Sequence, residues 1–291
     1  MNDLLETTGL ACDLTTGLCG SDEPDTRRVT ITYVTDPICS ACWAMEPAWR
    51  TVQHRYGDLL DVRHVYGGLL PGWDGFADPA NGIHGHEHVA EHWREMAEHT
   101  GQATAVSVWD TDPIPSSFPP SMVLVAARDV APELAETALR KLREELFVHG
   151  RNIARPDVWR DALAAAGVDV AEVEARLGDG RARDLFIADL QLARSLRATA
   201  FPTLVVEADG DRITLRGTQG LARLERVITE AAGVRPVAPS ATIEEAVTSL
   251  GVGTTAEYAA FTGGGGAETE RALRDAGLTA RSLPGGTVWL P

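Results

Sequence analysis

Three features of the sequence predict an α/β (α+β) fold with a large helical insertion. A β-branched run, Val29 to Val34 (VTITYV), leads into Cys39-Ser40-Ala41-Cys42, after which the pattern turns helical. Far along the chain, Ala200-Phe201-Pro202-Thr203 opens a second apolar run, Leu204-Val205-Val206. The long interval between them reads mostly as helices, so strands on either side of it must meet in one sheet.

The elements follow in order. Residues 1–27 read as a mobile tail carrying Cys12 and Cys19. A strand over 28–35, a helix over 40–56 and a strand over 61–67 form a first half, ended by Gly67-Gly68. Pro47 removes the helical bond to the carbonyl of Trp43 and should kink that helix. Residues 77–85, rich in Gly, Pro and Asn, read as a loop, and HVAEHWREMAEH then has helical spacing. The Pro-rich stretch 112–120 predicts a rigid connector. Helices are expected over 121–129, 132–149, 156–166, 170–177 and 181–197, with Pro156 at a start and Gly167 after an end. Strands 203–207 and 212–216, joined by Asp209-Gly210, predict a hairpin, and a helix over 220–232 closes a domain spanning 28–233, with the insertion at about 78–197. A linker, 234–239, leads to a small module, 238–291, expected to hold three helices and a hairpin turned by Pro284-Gly285-Gly286, in a winged-helix-like pattern.

The cysteine pair carries the chemistry. Cysteines at i and i+3 share one helical face and can close a disulfide. Free backbone N–H groups and the positive end of the helix dipole at a helix start favour a thiolate. A half zinc site has the same spacing, but strand, CxxC and helix in succession favour thiol–disulfide exchange. In this setting the chain resembles the thioredoxin superfamily, whose cis-proline loop lies against the CxxC and holds an extended substrate. The resemblance implies that Phe201, Pro202 and Thr203 form that loop, with a cis Phe201–Pro202 bond. The strings DPICSACWAMEP, HVYGGLLPGW, His92-Trp93, SSFPPS and LQLARSLRATAFPTL are similar to the DsbA-like branch, and within it to FrnE-type oxidoreductases and the adaptor that delivers the regulator Spx to the ClpXP protease. Phe201 is bulkier than the valine or threonine common at this position in that family, which implies a narrower groove or a preference for apolar clients.

Composition limits the alternatives. With 291 residues and 44% hydrophobic content, the chain can bury a large core without a disulfide framework. The net charge of −16 disfavours nucleic-acid or anionic-membrane partners. No signal-peptide pattern and no run of about 18 apolar residues is found, so a cytoplasmic location is expected. In the C-terminal module, Arg271 and Arg274 stand beside Glu268, Glu270 and Asp275, a balance that favours protein packing over DNA reading.

Cys12 and Cys19 are either incidental thiols or an auxiliary exchange pair for the CxxC; a tetrathiolate zinc site from both pairs is the weaker alternative. His88-Val89-Ala90-Glu91-His92 matches an HxxEH metal pattern, with His84, His86 and His99 nearby, but surface histidines are the simpler reading. Trp49, Trp73, Trp93, Trp109 and Trp159 read as core or groove residues, and Trp43 as an apolar lip beside Cys42.

The expected activity is thiol–disulfide exchange without cofactor or metal, with Cys39 attacking, Cys42 resolving, and Phe201, Pro202, Thr203 and Trp43 contacting substrate. Protein thiol or disulfide clients are the expected partners, together with a thioredoxin-type reductant or a protease. The alternative is a ClpXP adaptor or client-binding protein on the same fold.

Overall fold

A computed structural model of the chain describes residues 27–291, together with the backbone of Ala11–Cys12 (β1) and Cys19–Gly20 (β2). These two short strands pair antiparallel, with Cys12 opposite Cys19. The other tail positions, and the cysteine side chains with their expected exchange role, lie outside the described residues.

Val29–Thr35 (β3), Leu60–Tyr66 (β4), Thr203–Ala208 (β5) and Asp211–Arg216 (β6) form one sheet in the order β4-β3-β5-β6. β3 runs parallel to β4, Val29 facing Leu60 and Thr35 facing Tyr66, and antiparallel to β5, Val34 facing Thr203. The strand that feeds the cysteines is therefore central. Asp209 and Gly210 turn β5 into β6, both at positive φ (50° and 89°), which an Asp-Gly turn accommodates.

The helix after β3 is broken as Pro47 predicts, into Ser40–Ala44 (α1) and Glu46–Tyr56 (α2) on either side of Met45. The insertion contributes Val89–Thr100 (α3), Val108–Thr111 (α4), Phe118–Val130 (α5), Ala135–Arg143 (α6), Pro156–Ala165 (α7), Val170–Gly178 (α8) and Arg181–Ser195 (α9). Two expectations change here. The end of the Pro-rich connector is the start of α5, because Pro119 and Pro120 sit in a first turn whose N–H groups have no intrahelical acceptor. The helix expected over 132–149 is a 3₁₀ turn, then α6, then a π turn over Glu144–Val148 that carries Leu146, Phe147 and Val148 into the core. Leu221–Ala232 (α10) closes the domain.

Alternation along β3 gives the sheet two apolar faces. Val29, Ile31 and Tyr33 pack with Trp49 and Val52 of α2 and Leu224 and Ile228 of α10. Val34 and Val65 pack with Ala193 of α9 on the other face.

The C-terminal module consists of Ile243–Leu250 (α11), Gly253–Thr254 (β7), Thr255–Thr262 (α12), Gly266–Asp275 (α13), Thr279–Leu283 (β8) and Gly286–Leu290 (β9), its sheet ordered β7-β9-β8. Capping boxes, Thr242 with Glu245 and Thr254 with Glu257, open α11 and α12. The module has its own core around Tyr258, Phe261 and Trp289, yet it does not stand apart. Phe261 lies 4.1 Å, ring centre to ring centre, from His54 of α2, and Arg50 of α2 donates to the Leu250 carbonyl at 2.8 Å. Val288 of β9 is buried in the core of the insertion. Among the described residues no helix is long and apolar enough to cross a membrane.

Candidate active site

Cys39 is the N-cap of α1, in an extended conformation with φ −75° and ψ 109°, and its Sγ accepts the Cys42 N–H at 3.1 Å. Both thiols are free, and Cys39 is 4% exposed against 0% for Cys42. That small difference decides access, because Cys39 borders a cavity of about 400 Å³ and Cys42 does not. The cavity wall includes Trp73, Trp93, Trp109, Ala200 and Phe201. Asp78 and His92 are its ionisable side chains besides Cys39, with neither arginine nor lysine among them, so it suits apolar groups better than anions.

Burial, which disfavours a charged sulfur, pushes the Cys39 thiol well up, and sharing a hydrogen bond and repelling charge with Cys42 adds to this. Burial works against Cys42 as well, but the bond from Cys39 and the Arg143 guanidinium outweigh it, so the Cys42 thiol is lowered. The helix start alone therefore does not make Cys39 a thiolate, contrary to the simplest reading of its position. Of the two sulfurs, Cys42 is the one on which the site favours negative charge, with Arg143 as the cation beside it.

Arg143 is fully buried and donates to Glu46 Oε1 at 2.6 Å, Thr35 Oγ1 at 2.7 Å and the Asp36 carbonyl at 3.3 Å. Asp36 holds the loop before α1. Its Oδ1 accepts the Ile38 N–H at 3.0 Å, and its Oδ2 accepts the Leu69 N–H at 2.7 Å and the Ser117 hydroxyl at 2.8 Å. Burial raises the Asp36 carboxyl to about 6, despite these bonds.

Thr199, Ala200 and Phe201 of the loop before β5 share a cavity wall with Cys39, and the Phe201–Pro202 bond is cis. Thr218 Oγ1 donates to the Ala41 carbonyl at 3.0 Å, tying the segment after β6 to α1. Phe201 borders the cavity, and its ring sits where a side chain at position 67 would be: a Cβ on Gly67 would fall 2.2 Å from it. Pro202 and Thr203 do not line the cavity. They are buried behind it; Thr203 pairs with Val34 in the sheet and its hydroxyl donates to the Ala200 carbonyl at 2.7 Å. Thr199 and Ala200 take their places in the wall.

Trp43 is also corrected. It forms no lip: it is 1% exposed, its indole N–H donates to the Ala103 carbonyl at 3.1 Å, its ring stacks on Phe147, and the Arg140 guanidinium lies 4.7 Å from its ring centre. On α1 the position after Cys42 faces the insertion, and a large ring there is used for packing. Of the histidines, His92 belongs to the cavity wall rather than the free surface, and burial lowers its pKa. Among the described residues no three His, Cys, Asp or Glu side chains come together as a metal-binding group.

Sequence reasoning missed Asp36, Glu46, Arg140 and Arg143. Asp36 and Glu46 flank the CxxC in DPICSACWAMEP, and two acids so close to a buried turn were a signal. Arg140 and Arg143 look like the solvated face of a helix, and nothing local announces partners about a hundred positions away.

A family model described as Thioredoxin matches residues 33–225. The ClpXP adapter protein SpxH of Halalkalibacterium halodurans is 30% identical over 215 residues, covering 70% of each chain. SpxH of Shouchella clausii is 28% identical over 276 residues, 90% of this chain and 89% of that one. Among solved structures, the cytosolic disulfide reductase DsbM of Pseudomonas aeruginosa superposes with a TM-score of 0.52 and 27% identity, covering 64% of this chain and 88% of that one.

Proposed function

The chain belongs to the thioredoxin family, alongside the SpxH adapter proteins, and from that membership we propose that it is a thiol–disulfide oxidoreductase acting on protein or peptide clients through Cys39 and Cys42. One observation carries the reading: Cys39 is a helix N-cap sulfur opening on an apolar cavity whose wall includes the backbone segment before Pro202. Cys39 passes its proton to the neighbouring Cys42 sulfur and, as the thiolate, attacks one sulfur of a client disulfide, and the other client sulfur leaves as a thiolate. Cys42 then attacks Cys39 in the mixed disulfide, the second client thiolate leaves, and two electrons have passed from the pair to the client. A thioredoxin-type dithiol restores the reduced pair. The similarity to cytosolic DsbM supports the reducing direction and a cytoplasmic location.

Cys39→Ser is expected to abolish insulin disulfide reduction, and undiminished turnover would overturn the assignment. A second reading, a protease adapter that holds a client without turnover, is favoured by the SpxH relatives, one of which matches over 90% of this chain. Clients captured by Cys42→Ala, but not by a variant lacking both cysteines, support exchange. Equal capture by both supports the adapter.

A further inference from the structure

The C-terminal module reaches the redox pair through a line of buried charges. Glu257 of α12, with a fully buried side chain, takes Arg140 of α6 in a two-point grip, Oε1 to Nη1 at 2.6 Å and Oε2 to Nη2 at 3.1 Å. The same Arg140 Nη1 lies 3.2 Å from Glu46 Oε2, and the other oxygen of Glu46 holds Arg143 at 2.6 Å. Arg140 also bonds Glu144 at 2.9 Å, and Arg50 of α2 approaches Glu257 at 3.6 Å. Three guanidinium and three carboxylate groups, none with a side chain more than 14% exposed, thus form one cluster against the cysteines.

With Lys141, which bonds Glu144 at 2.7 Å at the rim of this cluster, the linked groups carry one net positive charge, and how much of it Arg143 shows to the pair depends on how Glu46 is divided between Arg143 and Arg140. Glu257 sets that division from the far side. We propose that Glu257 is a positioning residue of the Cys39–Cys42 pair, making the C-terminal module part of the redox centre by fixing, through Arg140 and Glu46, the net charge that Arg143 presents to the sulfurs. This goes beyond the exchange reading on which it rests, because it assigns the module a function in the chemistry.

The groups facing the pair come from every element packed on it: Tyr33 and Thr35 of β3, Asp36 before α1, Arg143 of α6 with Glu46 of α2 behind it, and, across the cavity beside Cys39, Asp78 and the α3 residue His92. Neutralising Glu257 removes a negative charge from the cluster. It also frees Arg140 to draw Glu46 away from Arg143, and both effects favour a thiolate. Removing the charge of Arg50 does the reverse.

The test is the pH dependence of iodoacetamide alkylation of the CxxC in the full chain. Glu257→Gln is expected to move the midpoint down by about half a unit, alkylating about threefold faster below it. Arg50→Gln is expected to move it up by a similar amount, and Glu257→Asp to bring it back toward the native value. Shifts of opposite sign are what loosened packing alone would not give. Unchanged midpoints, or shifts of the same sign, would overturn the proposal. If Glu257→Gln does not fold, Arg50→Gln decides alone, since an unchanged or lowered midpoint contradicts it. Alkylation needs no client, so absent insulin turnover with these shifts present would remove the oxidoreductase reading and leave the coupling standing.

Discussion

Asp36 is a buried carboxylate and Glu136 a partly exposed one, and their proton affinities move in opposite directions. Asp36 accepts three hydrogen bonds but is too far from water for these to offset burial, and its value rises from 3.8 to about 6. For Glu136 burial is outweighed by the His64 imidazole, 2.7 Å away, and the carboxyl falls from 4.5 to about 2. The signs follow from linkage. A raised Asp36 means that the folded chain holds the proton more tightly than the unfolded chain. Its contribution is complete below about pH 3.8 and is lost as pH rises through about 6. Glu136 contributes above its ordinary value of 4.5, and that contribution is lost as pH falls toward 2. Between pH 4 and 7, therefore, the native chain should lose on the order of 2–3 kcal/mol of unfolding free energy relative to Asp36→Asn. Urea unfolding of both proteins at several pH values measures this, and a difference constant with pH would show that Asp36 does not titrate in this range.

At the scale of elements, α1 is held by its aromatic side chain as much as by its cap. Trp43→Ala would remove the stack on Phe147, the bond to Ala103 and the cover over Arg140, leaving a cavity between α1 and the insertion. Chemical denaturation should register a loss of about 3–5 kcal/mol, whereas an exposed lip would lose almost nothing. The elements of the sheet and most helices were legible, because β-branched alternation, Pro at helix starts and the Asp-Gly turn are local signals. The π turn after α6 was not, since it depends on packing Leu146 to Val148 rather than on any local residue preference. In the site, Cys39, Cys42 and Phe201 could be placed from sequence, whereas the burial of Trp43 and Thr203 depends on what the fold brings against them. The fit of Phe201 over Gly67 joins positions separated by more than a hundred residues, and no periodicity encodes it.

For the whole molecule, the docking of the C-terminal module decides how it unfolds. Val288 lies in the core of the insertion, the Thr104 N–H donates to the Pro284 carbonyl at 3.0 Å, and Glu257 completes the charge cluster. Undocking the module would take Glu257 from Arg140 and leave that guanidinium one carboxylate short within a buried cluster, which is costly. Calorimetry should therefore show a single transition for residues 27–291, and an early transition belonging to the module alone would contradict this coupling. The same placement has a consequence in time. Arg140 leaves the ribosome roughly 120 residues before Glu257, a delay of about 6–23 s at about 5–20 residues per second. Throughout that interval Arg140 lacks the carboxylate that grips it at two points in the finished fold, so the thiols spend their first moments in a more positive field than they will ever meet again, and the arrival of Glu257 is the event that finishes the cysteine site.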